Sequence, residues 1–129
     1  MKTILTYGTF DLLHYGHIRL FMRAKEYGDR LVVGLSSDAF ALFKGKKTFF
    51  NYSQRKEMLE AIKYIDEIFY VDSFEEEKEV ALKMKPDVFV IGDDYKGKFD
   101  YLKDVGTEVI YLSRTPEVST TIIKAKLKK

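Results

Sequence analysis

Two hydrophobic periods alternate along this chain. Short apolar runs occur at residues 3–7, 30–35, 67–71, 87–91 and 108–112. Each has the length of a β-strand and is rich in β-branched or aromatic side chains. Between them lie segments of helical spacing. Over 17–27, Ile18, Leu20, Phe21 and Ala24 recur on one face, and Gly28 stops the run. Ser53 is placed to cap a helix reaching about Tyr64, with Met58, Leu59 and Ile62 inward. Residues 75–84 form a charged amphipathic helix ended by Pro86. Ser119 or Thr120 starts a last helix through Leu127. Strands separated by helices of this length imply βαβ units. The expected fold is therefore α/β, a single doubly wound five-stranded parallel sheet. Such sheets take ligands beyond the carboxyl ends of their strands, where strand order reverses. The loops after Tyr7, Leu35, Ile91 and Leu112 should gather on that edge.

Composition narrows the picture. A chain of 129 residues reads as one domain over 1–129, since a second would leave both short of core. The 46% hydrophobic and 33% charged content fits a globular protein. No apolar run approaches the roughly 20 residues of a membrane helix, and residues 1–5 read as a strand rather than a signal peptide. With no cysteine, disulfides and thiolate metal sites are excluded, and a cytoplasmic setting is expected. A formal charge of +2 gives no case for nucleic acid. Its distribution matters more: Lys44-Gly45-Lys46-Lys47 is a tight basic cluster that suits a small polyanion. The lysines from Lys124 to Lys129 read as solvated surface.

The candidate chemistry centres on Tyr7-Gly8-Thr9-Phe10-Asp11-Leu12-Leu13-His14-Tyr15-Gly16-His17, between the first strand and the first helix. Unpaired N–H groups and the helix dipole make such a junction attractive to phosphate, and Gly16 permits close approach of a ligand. His14 and His17, three apart, share a face if the first turn is helical. Two imidazoles there can donate to phosphate oxygens, the fixed help that phosphoryl and nucleotidyl transfers require. The plain alternative is a pair of histidines making local bonds at a helix start. Metal binding would need a third ligand, for which only Asp11 lies nearby. Asp94, after the fourth strand, can accept from ribose hydroxyls. Arg114 is a planar cation suited to phosphates, and Ser119, Thr120 and Thr121 bring hydroxyls to a helix start. Arg55 is a candidate for an acceptor phosphate or a partner for a nearby acid. Asp11 and Asp38 either orient the site or cap turns. No G-x-G-x-x-G follows a strand and no P-loop is present.

His14-x-Gly16-His17 resembles the HxGH signature of the cytidylyltransferase group of the nucleotidyltransferase superfamily. Arg114-Thr115-Pro116-Glu117-Val118-Ser119-Thr120-Thr121 resembles the second motif of that group, R-T-x-G-I-S-T-T. Residues 92–100 further resemble its glycerol-3-phosphate branch, and Phe43-Lys44-Gly45 the branch acting on choline and ethanolamine phosphates. The resemblance implies a Rossmann-like nucleotidyltransferase fold and a homodimer. It also implies CTP and a small phosphorylated acceptor as substrates, with Mg²⁺ carried on the triphosphate and no nucleic-acid or membrane partner. CDP-glycerol made this way would feed a cell-wall or capsule polymer. The implied catalytic residues are His14, His17, Lys44 and Arg114. Nucleotide contacts are expected from Thr9, Phe10, Asp11, Gly16, Lys46, Gly92, Asp94, Arg114, Thr115, Ser119, Thr120 and Thr121. Acceptor contacts are expected from Lys44, Arg55 and Lys78, with Lys44 and Lys46 in a flexible basic loop. The chain departs from the group at three places. Pro116-Glu117-Val118 replaces the usual turn before S-T-T, and Lys63 replaces an arginine before Y-x-D. Phe74-Glu75-Glu76-Glu77-Lys78 stands where the glycerol-phosphate branch often has W-x-Q-K. An adenylyltransferase and a non-catalytic nucleotide-binding module remain as rival readings.

Overall fold

The computed structural model describes residues 1–113. Arg114, Thr115, Ser119, Thr120 and Thr121, together with the expected final helix, lie outside the described residues. Five strands pair in parallel: β1 (Thr3–Gly8), β2 (Arg30–Ser36), β3 (Glu67–Val71), β4 (Val88–Gly92) and β5 (Glu108–Leu112). Their order is β3-β2-β1-β4-β5. The chain thus winds outward in one direction from β1 and then crosses back to start the other half at β4. The β1/β4 junction is the switch point at which such sheets open a crevice. The register pairs Tyr7 with Gly34 and Leu5 with both Val32 and Phe89. The central strands β1, β2 and β4 are nearly continuous apolar runs because both of their faces are covered.

The two covering layers follow from residue alternation. On one face Ile4, Leu31, Val33 and Val88 meet Phe21 and Ala24 of α1 (Tyr15–Lys25) and Leu59 of α3 (Tyr52–Glu60). On the other, Leu5, Val32, Phe89 and Ile91 meet Phe40 of α2 (Asp38–Phe43) and Ala81 of α4 (Phe74–Met84). That face also holds Phe99 and Leu102, the latter on the second of two short 3-10 turns, Asp93–Tyr95 and Asp100–Val105.

Three local expectations are corrected. The helix after β1 begins at Tyr15 rather than His17, because His14 caps it. The cap of α3 is Asn51, not Ser53: Asn51 Oδ1 accepts from Gln54 N at 2.9 Å, and Gln54 Oε1 accepts from Asn51 N at 3.0 Å. That reciprocal pair is a capping box. Finally, Lys44 is not part of a loop with Lys46. It is the C-cap of α2, a six-residue helix too short to show a period.

Arg55 also departs from expectation. Its side chain is fully buried, at 0% exposure, so it does not present itself to an acceptor phosphate. Nη1 donates to Thr9 O at 2.8 Å and Ser36 O at 2.9 Å, and Nε donates to Phe50 O at 3.1 Å. Nη2 reaches Asp38 Oδ1 at 2.7 Å. One guanidinium therefore ties the loop after β1, the end of β2, the start of α2 and the approach to α3. Arg55→Met keeps much of the volume but strands the carbonyls of Thr9 and Ser36, whose bonds to the guanidinium are buried. It is expected to cost about 1–3 kcal/mol for each stranded carbonyl in denaturant unfolding, and Arg55→Lys should recover little, because one ammonium cannot span that fork. A loss below about 1 kcal/mol for Arg55→Met would show that the guanidinium does not organise this edge.

Candidate functional site

The loop between β1 and α1 is unusual in its backbone. Phe10 and Leu12 both adopt positive φ, at 49° and 47°, a left-handed conformation that costs free energy for residues with a Cβ. Packing holds it in place. The Phe10 ring is buried against Phe21, with centroids 4.9 Å apart, and edge-on to His17 at 5.6 Å. A Cβ at Gly8 would lie 2.6 Å from that ring, so glycine is required where the ring folds back over the strand end. The Phe10 side chain thus belongs to the core, which leaves its backbone as the part that could meet a nucleotide. Asp11 is likewise structural: its carboxylate, 5% exposed, accepts from Phe49 N at 2.6 Å and Phe50 N at 3.0 Å. Thr9 gives its carbonyl to Arg55, and its buried hydroxyl has no hydrogen-bond partner among the described residues.

That loop delivers the two imidazoles to the first turn of α1. His14 Nδ1 accepts from Gly16 N at 3.0 Å, and His17 Nδ1 accepts from His14 N at 3.2 Å. Together they form a capping box built from histidines. The rings stack with centroids 3.8 Å apart and planes inclined by 23°. Because each Nδ1 accepts a backbone N–H, the proton of each neutral ring sits on Nε2. Burial pushes His14 below its ordinary value, and burial, His14 and Lys46 together push His17 down to about 3. Both rings are therefore neutral at pH 7. The expected local bonds do form, but they use only one nitrogen of each ring. The two Nε2–H groups remain as a pair of donors beside the N-terminus of α1.

Lys46 acts electrostatically on His17, whereas Lys44 faces the other side of the sheet edge. Lys44 Nζ donates to Ser36 Oγ at 2.8 Å and lies 4.3 Å from the centre of the Phe40 ring. There it lines a shallow recess beyond the ends of β1 and β4, with Tyr7, Gly8 and Ile91 at the strand ends. Phe74, Glu77, Tyr95 and Phe99 complete the wall. Tyr7 is fixed there by donating its hydroxyl to Glu77 O at 2.7 Å. A Cβ at Gly34 would sit 2.3 Å from the Tyr7 ring, so the neighbouring strand must lack a side chain for that ring to lie as it does. Gly92, by contrast, has ordinary φ, and a Cβ there would meet no described atom within 4 Å. The fold itself does not require glycine at this place in the crevice.

Of the expected residues, His14, Gly16, His17 and Lys46 collect on the α1 side of the β1 end and Lys44 on the α4 side. Asp94 is exposed on the turn after β4. Lys78 is exposed on α4 with its ammonium 5.2 Å from the Tyr101 ring centre, and it is not part of the cleft wall. Glu77 is the residue the sequence did not reveal. It is 5% exposed but sits within an acidic run that reads as a solvated face. Burial raises its carboxyl and lowers the Lys44 ammonium, while each charge favours the ionised form of the other. Among the described residues no three His, Asp or Glu side chains come together as a metal-ligand set.

Comparison with known proteins accords with this geometry. A family model described as cytidylyltransferase-like matches residues 5–126. The chain is 52% identical over 127 residues to the glycerol-3-phosphate cytidylyltransferase of Bacillus subtilis, covering 98% of each. It is 51% identical to the enzyme of the same name from Staphylococcus aureus, covering 98% of this chain and 96% of that one. Among solved structures, the lipopolysaccharide core biosynthesis protein of Thermoplasma volcanium superposes with a TM-score of 0.77 at 27% identity, over 89% of this chain and 98% of that one. The sheet order, the HxGH turn and these likenesses agree: the chain belongs to the cytidylyltransferase-like family.

Proposed function

We propose that this protein transfers a cytidylyl group from CTP to glycerol-3-phosphate, giving CDP-glycerol and pyrophosphate. The observation that carries this reading is the pair of neutral, tautomer-fixed imidazoles at the helix start beside the β1/β4 crevice. The acceptor is the one used by relatives about half identical over nearly the whole chain.

The reaction needs no protein nucleophile. An oxygen of the acceptor phosphate attacks the α-phosphorus of CTP, and a P–O bond forms. The bond from the α-phosphorus to the bridging oxygen breaks, and its electron pair leaves with pyrophosphate. His14 and His17 donate through Nε2–H to the phosphate oxygens on which charge builds, and being neutral and pre-aimed they need no reorganisation. Lys44 holds the acceptor phosphate and Lys46 the triphosphate, so the two lysines offset the repulsion between the reactants and orient them. Gly92 leaves room for the nucleotide, and Asp94 accepts from the ribose. Arg114, with Thr115 and Ser119 to Thr121, is assigned to the leaving pyrophosphate on sequence grounds. Mg²⁺ on the triphosphate would draw its ligands mainly from phosphate oxygens and water, which suits a site without a carboxylate cluster among the described residues. Bound there, it would add counter-charge on the pyrophosphate. The homodimer and the supply of a cell-wall or capsule polymer are part of the same reading.

Purified protein with CTP, glycerol-3-phosphate and Mg²⁺ should release pyrophosphate and form CDP-glycerol, with ATP a poor substitute. Preference for ATP would select an adenylyltransferase, and tight CTP binding without turnover would select a binding module. His14→Asn separates the two uses of that ring, because asparagine is a good N-cap but lacks the Nε2 donor. Thermal stability should hold while turnover falls by about 10²–10³-fold, and near-normal turnover would remove the histidine from the chemistry. His17→Ala should lose turnover to a similar degree and also stability, by about 0.5–2 kcal/mol. Lys44→Ala should raise the acceptor KM far more than that of CTP.

Acid should destabilise the fold in a definite window. The folded pKa of His17, about 3, lies below the unfolded value of about 6.5. Its contribution is therefore complete above pH 6.5 and is lost as the pH falls toward 3, at up to about 1.4 kcal/mol per unit. Urea unfolding from pH 8 to pH 4 measures this, and His17→Ala should flatten the slope.

A further inference from the structure

Glu77 is absorbed neither by the fold nor by the mechanism above. A carboxylate at 5% exposure is costly unless donors meet it. Yet none of the hydrogen bonds or ion pairs formed among the described residues uses its carboxylate. The bond formed at this residue goes through its carbonyl, which accepts from Tyr7. The Lys44 ammonium, on the wall of the same cleft, is bonded to Ser36 and faces the Phe40 ring. For α4 packing alone an apolar side chain would serve better. The cleft wall also carries Tyr95 and the nearly buried Phe99, apolar faces suited to a short carbon chain.

We propose that Glu77 selects the acceptor by its hydroxyl end, its carboxylate accepting from the two adjacent hydroxyls of glycerol-3-phosphate while Lys44 holds the phosphate. This rests on the function proposed above. Two carboxylate oxygens match a vicinal pair of O–H donors, and Glu77 and Lys44 lie on the wall of one recess, so a short phosphate ester can reach both.

The test compares glycerol-3-phosphate with 3-hydroxypropyl phosphate, which lacks the middle hydroxyl, and with phosphoethanolamine. For the unmodified enzyme, kcat/KM for glycerol-3-phosphate should exceed that for the deoxy analogue by about ten- to hundredfold, the range of a hydrogen bond to a charged group. Glu77→Gln, nearly isosteric, should compress that ratio to a few-fold through the acceptor KM, with the CTP KM unchanged. Glu77→Asp, which retains the carboxylate, should recover part of the discrimination. Glu77→Gln and Glu77→Asp both keeping the full ratio, or a flat ratio in the unmodified enzyme, overturns the role of Glu77 while leaving CDP-glycerol synthesis intact. Better use of phosphoethanolamine than of glycerol-3-phosphate by the unmodified enzyme overturns both.

Discussion

The active edge of this molecule depends on one buried guanidinium. Four chain segments meet near the carboxyl side of β1 and β2, and each brings a carbonyl or carboxylate to one place. Arg55 answers all four with one planar group. A buried charge of this kind is a poor source of net stability, but its fork fixes directions. Thr9 is held while Phe10 and Leu12 turn left-handed, and Ser36 is held while its hydroxyl accepts from Lys44. The same group that looked like a phosphate ligand in the sequence instead sets where two other candidate ligands stand.

The histidine pair shows how one side chain can satisfy the fold and leave a reagent over. A serine or asparagine at position 14 would cap α1 equally well, but no atom would remain to point away from the helix. Imidazole has two nitrogens about 2 Å apart on opposite sides of a rigid ring. Committing Nδ1 to the cap fixes the tautomer and the ring plane, and thereby the aim of Nε2–H. Stacking at 3.8 Å adds a second constraint, since two charged rings at that distance would repel. Neutrality thus follows from the geometry, and the donors stay proton-bearing without being cationic.

Much of this was legible in the sequence. The five apolar runs became five parallel strands, displaced by at most one residue at either end, because strands covered on both faces leave a signal that does not depend on partners. His14, Gly16 and His17 were legible because their chemistry is local, confined to one turn. What depended on distant contacts was not. Nothing near Arg55 in the sequence tells that Thr9, 46 residues away, supplies one of its acceptors. Asp11 reads as a ligand until Phe49 and Phe50 arrive to claim it. Glu77 is indistinguishable from Glu75 and Glu76 in the sequence, and only the turn of α4 that aims it inward separates a buried carboxylate from solvated ones. The Asn51-x-x-Gln54 box is readable in the sequence, but Ser53, an equally good capping residue, stands two places later and competes with it.

The placement of charge around the β1 end carries a further constraint. Joining two anionic phosphates demands positive groups, yet a single dense patch would bind both reactants without ordering them. Here the Gly45 turn, at a φ of 86°, separates two lysines that are adjacent but one in sequence, sending Lys46 toward the imidazoles and Lys44 across the sheet edge. A carboxylate beside Lys44 then makes that side less receptive to a second polyphosphate than the imidazole side, where no such carboxylate is free: Asp11, the acid there, is engaged by two backbone N–H groups. On the proposed reading, a lower net charge on that half of the site would bias triphosphate toward the helix start and leave the recess to the smaller, hydroxyl-bearing phosphate.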